Sequence, residues 1–212
     1  MHLLIAAADW RTAIWQEQFF PPDLPPQWRL DFYANEFRAW LVPAAVWSAA
    51  THADLLAWRE AAVRPFAFFL ELPADICVAD GAELNHAVDV ANVLGEELAG
   101  IVVSGGDTAL LAEVNRVVQG HFPGQRCTLL CRDPIGPVAS GAGLSLCQGD
   151  GAVPCIGGEL AVAWLNGPVE PRALREVLEQ LTQGNQTLGL VVSEHLDTLR
   201  QVRLIADMAG LS

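Results

Sequence analysis

The chain alternates short apolar runs with longer stretches in which apolar residues return every three or four positions. The unit is clearest between Gly95 and Pro134. Leu98–Val103 is an uninterrupted apolar run with β-branched residues, the pattern of a strand buried on both faces. Ser104-Gly105-Gly106 is read as its end, with Asp107 placed to cap a helix. Leu110, Leu111, Val114, Val117 and Val118 then recur at helical spacing and give that helix one apolar side. Gly120 through Gly124 is read as the break, and Arg126–Cys131 as a second buried strand. A strand, a crossover helix and a parallel strand make a right-handed βαβ unit.

The rest of the chain repeats that unit. His2–Ala8, Ala39–Val42, Phe66–Leu72, Leu144–Cys147, Leu160–Leu165 and Leu188–Val192 are predicted strands. Gln27–Phe37, Thr51–Val63, Glu83–Glu97, Pro171–Gln183 and Leu196–Met208 are predicted helices, and Trp15 through Pro26 a loop rich in aromatics and prolines. Eight strands alternating with helices predict an α/β protein, a compact (β/α)8 TIM-like barrel occupying residues 1–212 as one domain. An open doubly wound sheet is the competing arrangement. The fifth and sixth crossovers are reduced. Only about a dozen residues separate Cys131 from Leu144, near the minimum for a parallel crossover. Gly149–Gly158 has glycines and prolines where a helix is expected. Part of the barrel wall would then lie uncovered, so a homo-oligomer is expected.

Composition narrows the functional classes. With 212 residues, 52% of them apolar, the chain has material for one well-packed core. It has no stretch near the ~20 uncharged apolar residues of a membrane helix. The opening MHLLIAAADW has no basic leader and reads as a first strand, so a cytoplasmic protein without membrane contact is expected. A net charge of −13 repels phosphate backbones and argues against nucleic acid as a partner. All 12 basic side chains are arginine. Without lysine there is no Schiff base, no lysine general base and no P-loop lysine. No Gly-x-Gly-x-x-Gly follows the first strand, and no cofactor is expected. The five cysteines form no CxxC pair. Cys127 and Cys131 lie about 13 Å apart along one strand, too far to bridge. Cys127, Cys131, Cys147 and Cys155 match no usual zinc spacing, so reduced thiols and no metal are expected.

The runs AAADW, WQEQFFPPDLP and LDFYANEF carry a family resemblance. They are similar to the opening of domain-of-unknown-function family 72, the YecE-like barrels. That family begins Gly-Thr-Ser-Gly-Trp and continues with a Phe-Tyr-Pro, a Leu-Pro and a Leu-x-x-Tyr-Ala-x-x-Phe helix. The resemblance continues through Trp58, Phe66-Ala67-Phe68, Leu94–Gly100, Arg132 and Leu165-x-Gly167. It implies a TIM barrel and supplies no established reaction. The departures from the family fall at strand carboxyl ends. Ala6, Ala7, Ala8 and Asp9 replace the glycines and hydroxyls of the first motif, with Trp10 kept. Leu41-Val42-Pro43 stands for Glu-Ile-Asn, and Glu71 for a lysine. Leu130-Cys131-Arg132-Asp133 stands for Glu-Phe-Arg-His, Trp164-Leu165-Asn166 for Arg-Leu-His, and Val192-Ser193-Glu194 for Phe-Asn-Asn.

Acid–base catalysis needs ionisable groups converging on one point, and most of these replacements are apolar. The expectation is therefore a possible pseudoenzyme that keeps the frame and binds a protein partner or small ligand. The rival expectation is a hydrolase with a rebuilt acidic site. Asp9, Trp10, Glu71, Arg132, Asp133, Asn166, Glu194 and His195 are the candidate site residues, all at the rim formed by the strand carboxyl ends. The bland alternative is that Arg132 pairs with neighbouring carboxylates and holds the rim together. Gly105-Gly106 before a helix is a weak phosphate site, because Asp107 would repel the anion. Trp10 and Trp47 near the mouth raise a third idea, stacking on a sugar.

Overall fold

The structure is a computed structural model that describes residues 2–62, 65–79, 81–106, 111–131, 144–148, 160–165, 168–183 and 188–211. Eight strands are present: β1 (His2–Ala7), β2 (Ala39–Val42), β3 (Ala67–Pro73), β4 (Leu98–Gly106), β5 (Cys127–Cys131), β6 (Leu144–Gln148), β7 (Leu160–Leu165) and β8 (Leu188–Ser193). All their pairings are parallel, and the order is β6-β5-β4-β3-β2-β1-β8-β7. β1 sits between β2 and β8, so the sheet curls until its first and last strands are neighbours. The ends of the order, β6 and β7, approach one another without a hydrogen-bonded ladder. The result is a nearly closed TIM-like barrel. Beside that seam the buried Thr128 of β5 donates its hydroxyl to the Leu160 carbonyl of β7, at 2.7 Å.

Strand alternation sorts the core into two sets. One phase points into the lumen: Ala6 and Ala8, Ala39 and Leu41, Phe69, Val102, Leu160 and Val162, Leu190 and Val192. The other phase meets the helices through Leu3, Ile5, Trp40, Phe68, Leu70, Ile101, Val103, Ala161, Ala163 and Val191. A strand buried on both faces has no polar phase, which explains the unbroken apolar runs in the sequence.

The helices are α1 (Ala13–Gln18), α2 (Arg29–Glu36), α3 (Ala44–Trp47), α4 (His52–Ala61), α5 (Ala74–Ala79), α6 (Ala82–Leu94), α7 (Leu111–His121), α8 (Pro171–Gln183) and α9 (Leu196–Met208). α1 overlaps the expected loop Trp15 through Pro26, and α3 and α5 are helices the sequence pattern does not announce. Each has six residues or fewer and leaves little periodicity to read. Two boundaries also differ. β4 continues through Ser104-Gly105-Gly106, with its register against β5 shifting after Val103. α7 runs through Gly120 to His121, and the chain turns instead at Gly124, whose φ of 80° suits glycine. Asp107 and the glycine-rich segment 149–158 lie outside the described residues.

The first half is clad in aromatics. Tyr33 of α2 is fully buried and ties β1 to β2: its hydroxyl donates to the Ala39 carbonyl at 2.7 Å and accepts from the Ala7 amide at 2.9 Å. Burial drives its ionisation far above the ordinary tyrosine range. Trp10, Trp15, Phe19 and Phe37 surround that ring. α4 starts at a capping box, in which Thr51 accepts from the Asp54 amide and Asp54 accepts from the Thr51 amide. α9 closes the ring against α2, where Arg200 pairs with Glu36 at 3.1 Å.

Candidate functional site

The mouth of the barrel is the end at which the strands finish, and the lumen-facing positions there among the described residues include Ala8, Leu41, Glu71, Ser104, Trp164 and Val192. Four of these six are apolar. Leu41 and Val192 have no solvent exposure, and Trp164 packs against the same cluster while remaining half-buried. Leu41 and Trp164 stand where the resembling family has Glu and Arg, and Val192 stands where it has Phe.

Glu71 is the charged member, two residues beyond Phe69 on the lumen phase of β3. Its Oε1 accepts the Ser104 hydroxyl at 2.8 Å, and its Oε2 accepts the Ala44 amide at the start of α3, at 3.2 Å. Its carbonyl accepts the Trp47 indole N–H at 2.7 Å. The carboxylate thus clamps the ends of β3 and β4 to the first turn of α3. Ser104 and the Ala44 amide did not stand out in the sequence, where Ser104 read as a turn residue. A register count signals Ser104: it lies two positions past Val102 on the lumen phase of β4.

The other candidates do not join Glu71. Asp9 is held by Arg11, with Oδ1 3.0 Å from Nε and Oδ2 3.2 Å from Nη2, and both groups are part-exposed. Glu194 and His195 are exposed on the β8–α9 connection. There the Glu194 carbonyl accepts the Trp15 indole N–H at 2.7 Å, and the His195 amide donates to the Ser193 hydroxyl at 3.1 Å. Trp10 is turned away from the mouth into the layer between barrel and helices, against Phe20, Tyr33 and Trp40. With Trp10 at 7% exposure and Trp47 at 0%, neither offers a ring face to a sugar. Arg132, Asp133 and Asn166 lie outside the described residues. Among the described residues no group of three or more His, Cys, Asp or Glu gathers as a metal site, and no helix is long and apolar enough to cross a membrane.

The opposite pole differs. A cavity of about 770 Å³ opens where the strands begin, lined in part by Leu4, Ala67, Ala99, Leu188, Arg38 and Arg126.

Fold and site together define a parallel (β/α)8 barrel whose described lumen residues are mostly apolar. Residues 4–105 match the family model described as "Protein of unknown function DUF72". Two crystal structures of a DUF72 family protein from Enterococcus faecalis V583 have the same fold. One aligns at 9% identity with a TM-score of 0.65, covering 100% of this chain and 98% of that one. The other aligns at 8% identity with a TM-score of 0.66, covering 97% and 95%. At such identity the likeness speaks for the fold alone. A search of curated proteins finds no match.

Proposed function

We propose that this barrel is a non-catalytic, cytoplasmic binding protein that holds a protein partner or a small ligand. One observation carries the reading: the lumen-facing acid at the mouth has both carboxylate oxygens taken by Ser104 and Ala44 of its own chain. Its lumen neighbours Leu41, Val192 and Trp164 are apolar. A general base needs an oxygen aimed at a substrate proton, and an electrostatic site needs donors converging on a developing charge. Asp9 is spent on Arg11, while Glu194 and His195 face solvent.

A second reading rests on the same pair. Ser104 donating to Glu71 at 2.8 Å at a barrel mouth has the contact of a nucleophile and a base, which keeps a hydrolase in view. A panel of nitrophenyl esters, phosphates and glycosides separates the two. The binding reading expects background hydrolysis from the native chain and unchanged background in Ser104→Ala and Glu71→Gln. Turnover that disappears in both variants overturns it in favour of the hydrolase. Self-association through the β5–β6–β7 side belongs to the same proposal. A mass above that of one chain in light scattering supports it, and a monomer at micromolar concentration counts against it.

A further inference from the structure

We propose that the cavity at the amino ends of the strands is a ligand site for a small amphipathic monocarboxylate. The inference deepens the binding reading above and rests on it. At about 770 Å³ the cavity falls within the few hundred to ~1,000 Å³ of small-molecule sites. Its apolar lining combines the lumen residues Leu4, Ala67, Ala99 and Leu188 with the helix-facing Leu3, Ile5, Phe37 and Phe66. A TIM-like barrel ordinarily fills each layer with bulky branched side chains, whereas Ala67 and Ala99 stand here beside Leu4 and Leu188. The roof above this layer is tight. A Cβ on Gly100 would lie 2.9 Å from the Arg126 carbonyl oxygen, 2.9 Å from Leu160 Cδ2 and 3.4 Å from Phe69 Cε1. Phe69 and Leu160 therefore occupy the space a side chain at 100 would need, and they close the lumen above an open vestibule.

Charge sets the other half of the specificity. Arg38, Arg126 and Arg203 line the cavity together with the carboxylates of Glu36 and Asp207. Glu36 is engaged by Arg200 at 3.1 Å and by Arg203 at 3.9 Å, and Asp207 by Arg203 at 4.0 Å. Arg38 is exposed, makes no ion pair among the described residues, and has a long 3.5 Å contact from Nη1 to the Ala34 carbonyl. An apolar floor with an arginine fork at its rim suits a carboxylate on a hydrocarbon body. A dianionic head would meet Glu36 and Asp207 with charge left over, so the one guanidinium of Arg38 favours a monoanion.

Calorimetric titration of the full chain with octanoate, octylammonium and octyl phosphate tests this. Octanoate is expected to bind one per chain, with octylammonium at least about tenfold weaker, as loss of a charge-assisted contact implies. Arg38→Glu should abolish that preference. Ala99→Leu should fill the floor and remove octanoate binding. Should Ala99→Leu fail to fold, the exposed Arg38→Glu still decides. The inference is overturned if octanoate does not bind, if octylammonium binds equally well, if Arg38→Glu leaves the preference intact, or if octyl phosphate binds better than octanoate. None of these results touches the hydrolysis panel, so the failure of this site and the failure of the binding reading remain distinguishable.

Discussion

The two poles of the barrel are built from the same strands and end differently. At the carboxyl pole the lumen closes over Leu41, Val192 and Trp164, and Glu71 is consumed in clamping β3, β4 and α3. At the amino pole the lumen ends on alanines, and an arginine-rimmed cavity of about 770 Å³ is left. In barrels of this type the carboxyl pole ordinarily carries chemistry and the amino pole carries stability. Here the lumen at the carboxyl pole has the tight packing, and the amino pole has the void. Strand order alone therefore does not say which end of a barrel receives a ligand; the size of the lumen side chains in each layer does.

The hardest way to break this contrast is to hollow out the carboxyl pole. Leu41→Ala deletes a fully buried lumen side chain and is expected to lower the unfolding free energy by about 2–5 kcal/mol in urea titration. A loss under about 1 kcal/mol would mean that the mouth is loosely filled and the contrast is false. Gly100→Ala acts on the roof of the amino-pole cavity, where the new Cβ meets a backbone oxygen at 2.9 Å that cannot rotate away. Its expected cost is about 1–3 kcal/mol, the range for overpacking a core. A neutral result would show that Phe69 and Leu160 yield and that the vestibule is not sealed from the lumen.

The wall between the poles supplies a control that should favour neither end. Burial pushes the Cys127 thiol up to about 12 and, aided by the charge of Asp75, the Cys77 thiol up to about 11. Both folded values lie above the ordinary 9.0, so the thiols' contribution to stability is whole below pH 9. It is lost as pH rises through the folded values, with a slope of at most about 1.4 kcal/mol per pH unit for each thiol. Urea midpoints should thus be flat from neutrality to pH 9 and fall above it, less steeply in Cys127→Ala. A midpoint that stays level into strongly alkaline solution would mean that these thiols are not buried in the folded chain.

Much of this architecture was legible because a parallel barrel writes its strands as apolar runs, and all eight lie where those runs are. Helices of ten residues or more, such as α4 and α8, were legible for the same reason. α1, α3 and α5 were not, since helices this short are held by the surface they land on rather than by their own pattern. The apolar conversion of the mouth was readable residue by residue at Leu41 and Trp164. The direction of Trp10 was not. It lies just beyond the last residue of β1, where strand alternation no longer applies and packing against Tyr33 and Trp40 decides. The amino-pole cavity also escaped sequence reading. Its floor comes from four different strands, and no local pattern marks an alanine that leaves a void.

The finest test of the contrast is Glu71→Gln, because it removes charge and keeps shape. A glutamine has one side-chain oxygen where the carboxylate has two, so either the Ser104 hydroxyl or the Ala44 amide loses its acceptor. The half-buried setting lets water replace part of that bond, and the expected loss of stability is about 1 kcal/mol. If the acid is purely a clamp, the Glu71→Gln variant keeps octanoate binding at the far pole unchanged and keeps hydrolysis at background. A fall in octanoate affinity would couple the two poles through β3, the strand that carries both Glu71 and Ala67. The amino-pole site would then have to be read as one end of a responsive lumen rather than as an isolated vestibule.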